Sequence, residues 1–236
     1  MKKIWLLLSL LTGLLAGCAM LPQNPPAGMP PEAGVPPIHV GDDWAYIAHD
    51  GYTHLPRGTY VYRVSAIRDD TVTVEVTHGK RNWTELYTRA WAWRERALTN
   101  LQNMQYAPPL AALPFPLHAG QSWTRYVTAT DPVAHRSYRV RIDGSVVGWQ
   151  RIKVPAGEFD TLKVERRIYA GNAGFFRTEE YIHDIDWYSP QLGGVVRHEG
   201  SSYYIDTSRG CRTAGCNVMK GDWTVYELYA HRQGGG

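Results

Sequence analysis

The residues best placed to do chemistry lie in one short run, Glu179-Glu180-Tyr181-Ile182-His183-Asp184-Ile185-Asp186. On a strand, Glu179, Tyr181 and His183 share a face, and Asp184 and Asp186 add carboxylates near the following turn. Such a set suits a divalent cation or acid–base work, and it equally suits a solvated strand end. The remaining histidines are scattered. Gly-x-Ser-x-Gly, Ser-x-x-Lys, His-Glu-x-x-His and a phosphate-cradling Gly loop are all missing from the sequence. The reading is therefore of a non-catalytic protein, with no catalytic residue, no metal set and no cofactor assigned.

The second resource is aromatic. Eight of the nine Trp follow residue 17. Aromatics on a sheet mostly fill core, but a concave sheet lined by them can hold an apolar ligand. Trp91 and Trp93 are the candidate ligand or partner contacts. They stand two apart, so on a strand they share a face, and they lie beside the most Pro-rich part of the body.

The third resource is sulfur. Residues 1–17 run from Met1-Lys2-Lys3 through an apolar stretch to small residues. That is the layout of an export signal, and the stretch is too short to span a bilayer. It ends in Leu15-Ala16-Gly17-Cys18, which resembles the lipobox of bacterial lipoproteins. The resemblance implies cleavage before Cys18, lipidation of its thiol and acylation of its amino group. Two or more acyl chains give stable anchoring. Ala19 follows Cys18, where an Asp would favour inner-membrane retention in that family, so the resemblance points to an outer-membrane anchor. Cys211 and Cys216 remain as a pair. In an oxidising envelope they are expected to form a disulfide, contributing about 2 kcal/mol through a short loop. Two thiolates alone lack the further ligands that a zinc site needs.

Cleavage removes Lys2 and Lys3 and no acid, so the formal charge falls from +3 to +1. A near-neutral chain has no electrostatic footprint for nucleic acid. The expected partners are the membrane, through the anchor, and an envelope protein or a lipid ligand.

The elements that must position these residues read as β-structure. Residues 18–37 form a lipidated, Pro-rich tether with seven prolines between Leu21 and Pro37; extended, it reaches about 60 Å at ~3.1 Å per residue. Residues 38–231 form the folded body, and 232–236 a loose Gly-rich tail. From Thr59 to Thr77, Tyr60, Tyr62, Val64 and Ala66 alternate with polar residues. Arg68-Asp69-Asp70 turns the chain, and Val72, Val74 and Val76 alternate again. Residues 82–101 fit a strand to about Trp93 or a helical stripe through Leu86, Ala90, Trp93 and Ala97. Pro108–Pro116 reads as an irregular crossing, and strand patterning resumes at Trp123. Gly41-Asp42-Asp43-Trp44, Gly120-Gln121-Ser122-Trp123 and Gly221-Asp222-Trp223 form a weak repeat. It suggests two related halves, about 38–113 and 114–231.

Three further stretches carry a second resemblance. They are Phe115-Pro116-Leu117-His118-Ala119-Gly120-Gln121-Ser122-Trp123, Val147-Gly148-Trp149 leading to Val154-Pro155-Ala156-Gly157-Glu158-Phe159, and Trp187-Tyr188-Ser189-Pro190 followed by Gly193-Gly194-Val195-Val196. Between Gly41 and Glu199 the chain resembles an uncharacterised family of β-rich proteins exported to the Gram-negative envelope. The resemblance implies an antiparallel β fold and carries over no activity.

The sequence thus predicts an all-β body of antiparallel sheets, curved as a sandwich or open barrel. Its expected place is the outer membrane, lipid-anchored and facing the periplasm. Its expected role is non-catalytic binding or scaffolding; an acyl-ligand carrier is the alternative, and an envelope hydrolase comes third. Cys18→Ser should abolish the thioether and leave an unlipidated product. Fractionation of wild type and variant after a salt wash checks this, and equal membrane retention of the two would contradict it.

Overall fold

The structure is a computed structural model that describes residues 21–98, 103–208 and 217–235. Those residues form β1 (Asp43–Asp50), β2 (Pro56–Arg68), β3 (Thr71–His78), β4 (Arg81–Thr88), β5 (Trp93–Ala97) and β6 (Asn103–Leu110). β7 (Ser122–Asp131), β8 (Arg136–Val154), β9 (Gly157–Tyr169), β10 (Tyr181–Ser189), β11 (Gly194–Asp206) and β12 (Asn217–Arg232) follow. Each strand pairs antiparallel with its sequence neighbours, and β12 closes on β1. The expected curved antiparallel sheet is therefore a closed barrel, which leaves no unpaired edge.

Period-two patterning sets the wall. Val64 on β2 and Val72, Val74 and Val76 on β3 point inward and are buried, as are Val140 and Ile142 on β8. Outward positions carry ion pairs instead: Arg141 with Asp143 at 2.8 Å and Lys163 with Glu165 at 2.6 Å. A transmembrane barrel shows the reverse, an apolar band outside and a polar interior. This outer wall is built to face water.

Strand polarity defines two ends. The turns at 51–55, 79–80 and 132–135 and the loop at 170–180 form one end, termed the mouth. The turns at 69–70, 89–92 and 155–156, the loop 190–193 and the crossing 111–121 form the other, the base. A second apolar cluster at the base joins Leu117, Trp123, Val146, Trp149 and Leu162 with Ala33 of the Pro-rich segment. That segment does not hang free. Ala33 and Leu117 exchange backbone hydrogen bonds at 2.7 and 2.8 Å, and the Trp149 N–H donates to Pro22 O at 2.8 Å. From the pinned Leu21 back to Cys18 is three residue steps, about 10 Å at full extension, far short of the reach expected of a free tether.

Two of the three Gly–Trp motifs open strands with the same bonds. The Gly41 N–H donates to Val64 O and the Gly120 N–H to Val146 O, both at 2.8 Å. His39 N–H donates to the Asp42 side chain, and His118 N–H to the Gln121 side chain. Both glycines have positive φ, 93° and 78°, which a turn into a strand requires here. The third motif, Gly221-Asp222-Trp223, lies inside β12.

Two expected boundaries shift. The stretch 82–93 is not one strand and no helix forms there. β4 ends at Thr88, and a turn follows with Trp91 at φ 58°. Thr88 fastens that turn: its N–H donates to Ala92 O, and its hydroxyl accepts from the Ala92 N–H. The crossing begins later than expected, because Pro108 and Pro109 belong to β6. Pairing of β6 with β7 stops at Ala107, just before two residues with no N–H to donate. β10 begins at Tyr181, and Phe175 stands 91% exposed in the preceding loop.

Candidate functional site

The barrel encloses a cavity of about 1070 Å³ that runs from Lys80 and Val133 at the mouth to Trp91 and Leu113 at the base. Its wall is strongly aromatic because alternate residues of several strands are aromatic. β1 contributes Trp44 and Tyr46, β2 Tyr60 and Tyr62, β4 Trp83 and Tyr87, and β12 Tyr226. The rings meet edge to face, with Tyr46 against Tyr62 at 5.8 Å between centroids and Tyr60 against Tyr226 at 5.1 Å. Burial drives the Tyr62 and Tyr87 phenols well above their ordinary pKa, so they stay neutral donors.

Charge is set into this wall at two places. On β9 and β10 the register places Arg166 opposite Asp184, and on β10 and β11 it places Asp186 opposite His198. Arg166 is 2% exposed. Its guanidinium lies 2.6 Å from Asp186 Oδ2 and 3.5 Å from Asp184 Oδ2, and His198 Nδ1 lies 2.7 Å from Asp186 Oδ1. Burial alone would raise the Asp186 pKa; the charges of Arg166 and His198 and their hydrogen bonds outweigh it and hold the carboxyl well below the usual range. The second group surrounds Glu85. It accepts from the Tyr87 hydroxyl, and from Trp83 Nε1 at 3.3 Å, while Arg96 Nε stands 3.9 Å away. The Arg96 guanidinium in turn covers the Trp93 ring at 4.2 Å.

At the mouth, Arg57 bridges Asp50 of β1 and Asp222 of β12. Hydrogen bonds from the Thr53 N–H and from Arg57 hold the Asp50 carboxyl below its ordinary pKa. This bridge ties β2 across β1 to β12, next to the seam where the barrel closes.

Sequence-predicted residues fall in and out of this site. Trp91 and Trp93 both line the lumen. They do so from a turn and from β5, not from one strand face. Trp91 meets Trp44 at 5.9 Å and Tyr87 at 5.3 Å, and Trp93 meets Tyr106 at 6.0 Å. The acidic run on β10 divides. Asp184 and Asp186 turn inward and are buried, so they are no solvated strand end. Tyr181 instead stacks on Tyr203, and Glu179 accepts from the Gly171 N–H. Among the described residues no cluster of three or more His, Cys, Asp or Glu is placed to hold a metal ion. Cys18, Cys211 and Cys216 lie outside the described residues. Arg96, Arg166 and His198 were not singled out from the sequence. Arg166 carried a signal, since it interrupts the buried stripe Leu162, Val164, Ile168. Glu85 carried the same kind of signal between Trp83 and Tyr87.

No family model matches this chain, and no curated protein matches it. Similar solved structures include a provisionally designated lipoprotein from Parabacteroides distasonis, with 15% identity, 85% of this chain and 99% of that chain covered, and a TM-score of 0.45. A provisionally designated exported protein with a YmcC-like fold from Bacteroides fragilis shows 14% identity, coverage of 85% and 100%, and a TM-score of 0.41. The hypothetical lipoprotein YmcC from Escherichia coli shows 10% identity, coverage of 80% and 84%, and a TM-score of 0.41.

The buried ion pair gives a direct prediction. Asp186→Asn leaves Arg166 short of its nearest counter-charge, and breaking a buried pair typically costs about 3–5 kcal/mol. Because the folded-state pKa of Asp186 is depressed, its contribution is fully present above the unfolded pKa of about 4 and is lost as pH falls below that value. Urea unfolding at pH 7 and pH 3 should therefore show a large gap between wild type and variant at pH 7 that narrows at pH 3. A gap independent of pH would contradict the assignment.

Proposed function

We propose that this chain is a lipid-anchored, non-catalytic binding protein of the outer membrane, facing the periplasm, whose lumen receives a small amphipathic molecule. The lumen is the observation that carries this reading. Its volume of about 1070 Å³ is just above the usual span of small-molecule sites, roughly 300–1,000 Å³. Aromatic faces supply apolar contact, and the charged groups on β5, β9, β10 and β11 supply a polar end. A purely acyl ligand would leave those groups without work, so the ligand carries a polar group as well as an apolar part.

The lipobox at Cys18 and the Ala19 that follows it support the anchor and its membrane. The docked Pro-rich segment supports an orientation. Leu21 sits at the base, so the base faces the membrane and the mouth opens away from it. Asp186 and His198 form a carboxylate–imidazole pair of the kind that relays protons, but among the described residues no serine hydroxyl hydrogen-bonds His198. A second reading, docking of an envelope protein on the mouth, has one observation in its favour: Phe175 and Phe176 are 91% and 59% exposed on the β9–β10 loop. Neighbouring exposed aromatics of this kind mark contact surfaces.

The test is native mass spectrometry of protein extracted from its own envelope without denaturation. Wild type should carry an added mass beyond the anchor acyl chains, and a folded Trp91→Ala variant should lose most of it. Wild-type protein bearing the anchor mass alone would contradict the proposal. A Trp91→Ala variant that unfolds would place Trp91 in the core, and Tyr226→Phe then tests the same wall with little loss of packing.

A further inference from the structure

We infer that Arg96 is the polar seat of the lumen and that it takes an acidic head group, a carboxylate or a phosphate monoester, carried on an apolar tail. This rests on the lumen being the binding site and names the ligand class that site selects. Net charge does not make the choice. The wall carries four cations, Lys80, Arg81, Arg96 and Arg166, and four carboxylates, Glu85, Asp184, Asp186 and Asp222. What differs is how far each sign is already engaged.

The carboxylates have partners. Asp186 holds Arg166 and His198, and Asp184 stands 3.5 Å from Arg166. Asp222 takes Arg57 and the Thr224 hydroxyl, and Glu85 takes the Tyr87 hydroxyl and Trp83 Nε1. The donors are left over. Among the described residues, no carboxylate lies within 4.0 Å of Lys80 or Arg81, which sit at the β3–β4 turn of the mouth. Every buried side-chain atom of the lumen wall that lacks a hydrogen bond is a donor nitrogen, on Trp44, Trp91, Arg96 or Arg166. A buried donor without an acceptor is costly. The wall is therefore short of acceptors, which the oxygens of an acidic ligand supply.

Arg96 is the member of this set best able to meet an anion. Arg166 is already flanked by two carboxylates, and a further anion there would face both. The Arg96 side chain is 28% exposed on the lumen wall, and a guanidinium offers five N–H donors in a fixed fork. Its own contacts are long: the Tyr87 hydroxyl lies 3.5 Å from Nη1, and Glu85 Oε2 lies 3.9 Å from Nε. Glu85 spends its oxygens on Tyr87 and Trp83, which leaves the fork unfilled. The Trp93 ring packs against the guanidinium at 4.2 Å and restrains it, and a restrained fork matches a planar carboxylate or a phosphate. Beside it the aromatic patch runs on from Tyr87 to Trp91 at 5.3 Å and from Trp91 to Trp44 at 5.9 Å, giving the tail an apolar bed. Lys80 and Arg81 at the mouth favour the approach of an anion.

The experiment compares probes of one chain length, dodecanoate, dodecyl phosphate, dodecanol and dodecylamine, by tryptophan fluorescence titration of the full chain at pH 7. At least one of the two acids should bind roughly tenfold or more tighter than dodecanol, the scale of one charge-assisted contact, and the tighter acid identifies the head group. Arg96→Met should erase that preference while leaving dodecanol affinity unchanged. Arg96→Met combined with Glu85→Gln removes both charges together, so no unpaired carboxylate stays behind. The double variant should show the same loss, and it keeps the inference testable if the single variant does not fold. Equal binding of acids and alcohol would overturn the inference and leave the lumen reading standing. Tightest binding of dodecylamine, or an acid preference that survives the loss of Arg96, would do the same. Binding of none of the probes would overturn the lumen reading and this inference with it.

Discussion

Closure of β12 on β1 is the constraint on which the rest of the molecule depends. An eight-stranded barrel is narrow enough for its own side chains to fill, whereas wider barrels leave an interior space. With twelve strands in the ring, aliphatic residues cannot meet across the middle. The chain responds in two ways. It closes the base with a second apolar cluster, in which Leu117 of the crossing and Ala33 of the Pro-rich segment pack under Trp123 and Trp149. Along the lumen it lines the wall with the largest side chains available, Tyr and Trp, which contact one another around the circumference but leave the centre open.

An open, aromatic interior changes what buried charge can do. In a filled core, Arg166 with Asp184 and Asp186 would be weak evidence for anything but cost, since desolvation can exceed the attraction of a buried pair. Here the same residues border a cavity. The outer wall shows the contrast. Arg151 with Glu158, at 64% and 53% side-chain exposure, sits in water where such pairs contribute about 0–1 kcal/mol. The inward charges are scarce, buried and joined across three strands; the outward ones are plentiful and local. Function is better sought among the former.

Much of this was legible in the residues, and the part that was not has a physical reason. The β2–β3 hairpin follows directly from Val72, Val74 and Val76 alternating with Thr and Glu. Trp91 and Trp93 line the lumen, but from a turn and from β5 rather than from one strand face. Closure was not legible, because β12 pairing with β1 is a contact between residues nearly two hundred positions apart, and period-two patterning is the same in a sandwich, an open barrel and a closed one. The turn at Arg89-Ala90 was hidden because Thr88 fastens it with its own hydroxyl, without a Gly or Pro to announce it. Asp184 and Asp186 looked like solvent-facing carboxylates because their partners, Arg166 and His198, lie on β9 and β11 and meet them only through register. A charge in phase with an apolar stripe, as Arg166 is with Leu162, Val164 and Ile168, was the available sign that the stripe faced something other than a dry core.

The central claim is that the lumen is a ligand site rather than an incompletely filled interior. An experimental structure of the protein purified from its own envelope tests it most directly. The account predicts continuous non-protein density inside the barrel, in contact with the aromatic wall and with the charged groups on β5, β9, β10 and β11. A lumen closed up by its own side chains, or one holding ordered water alone, would contradict it.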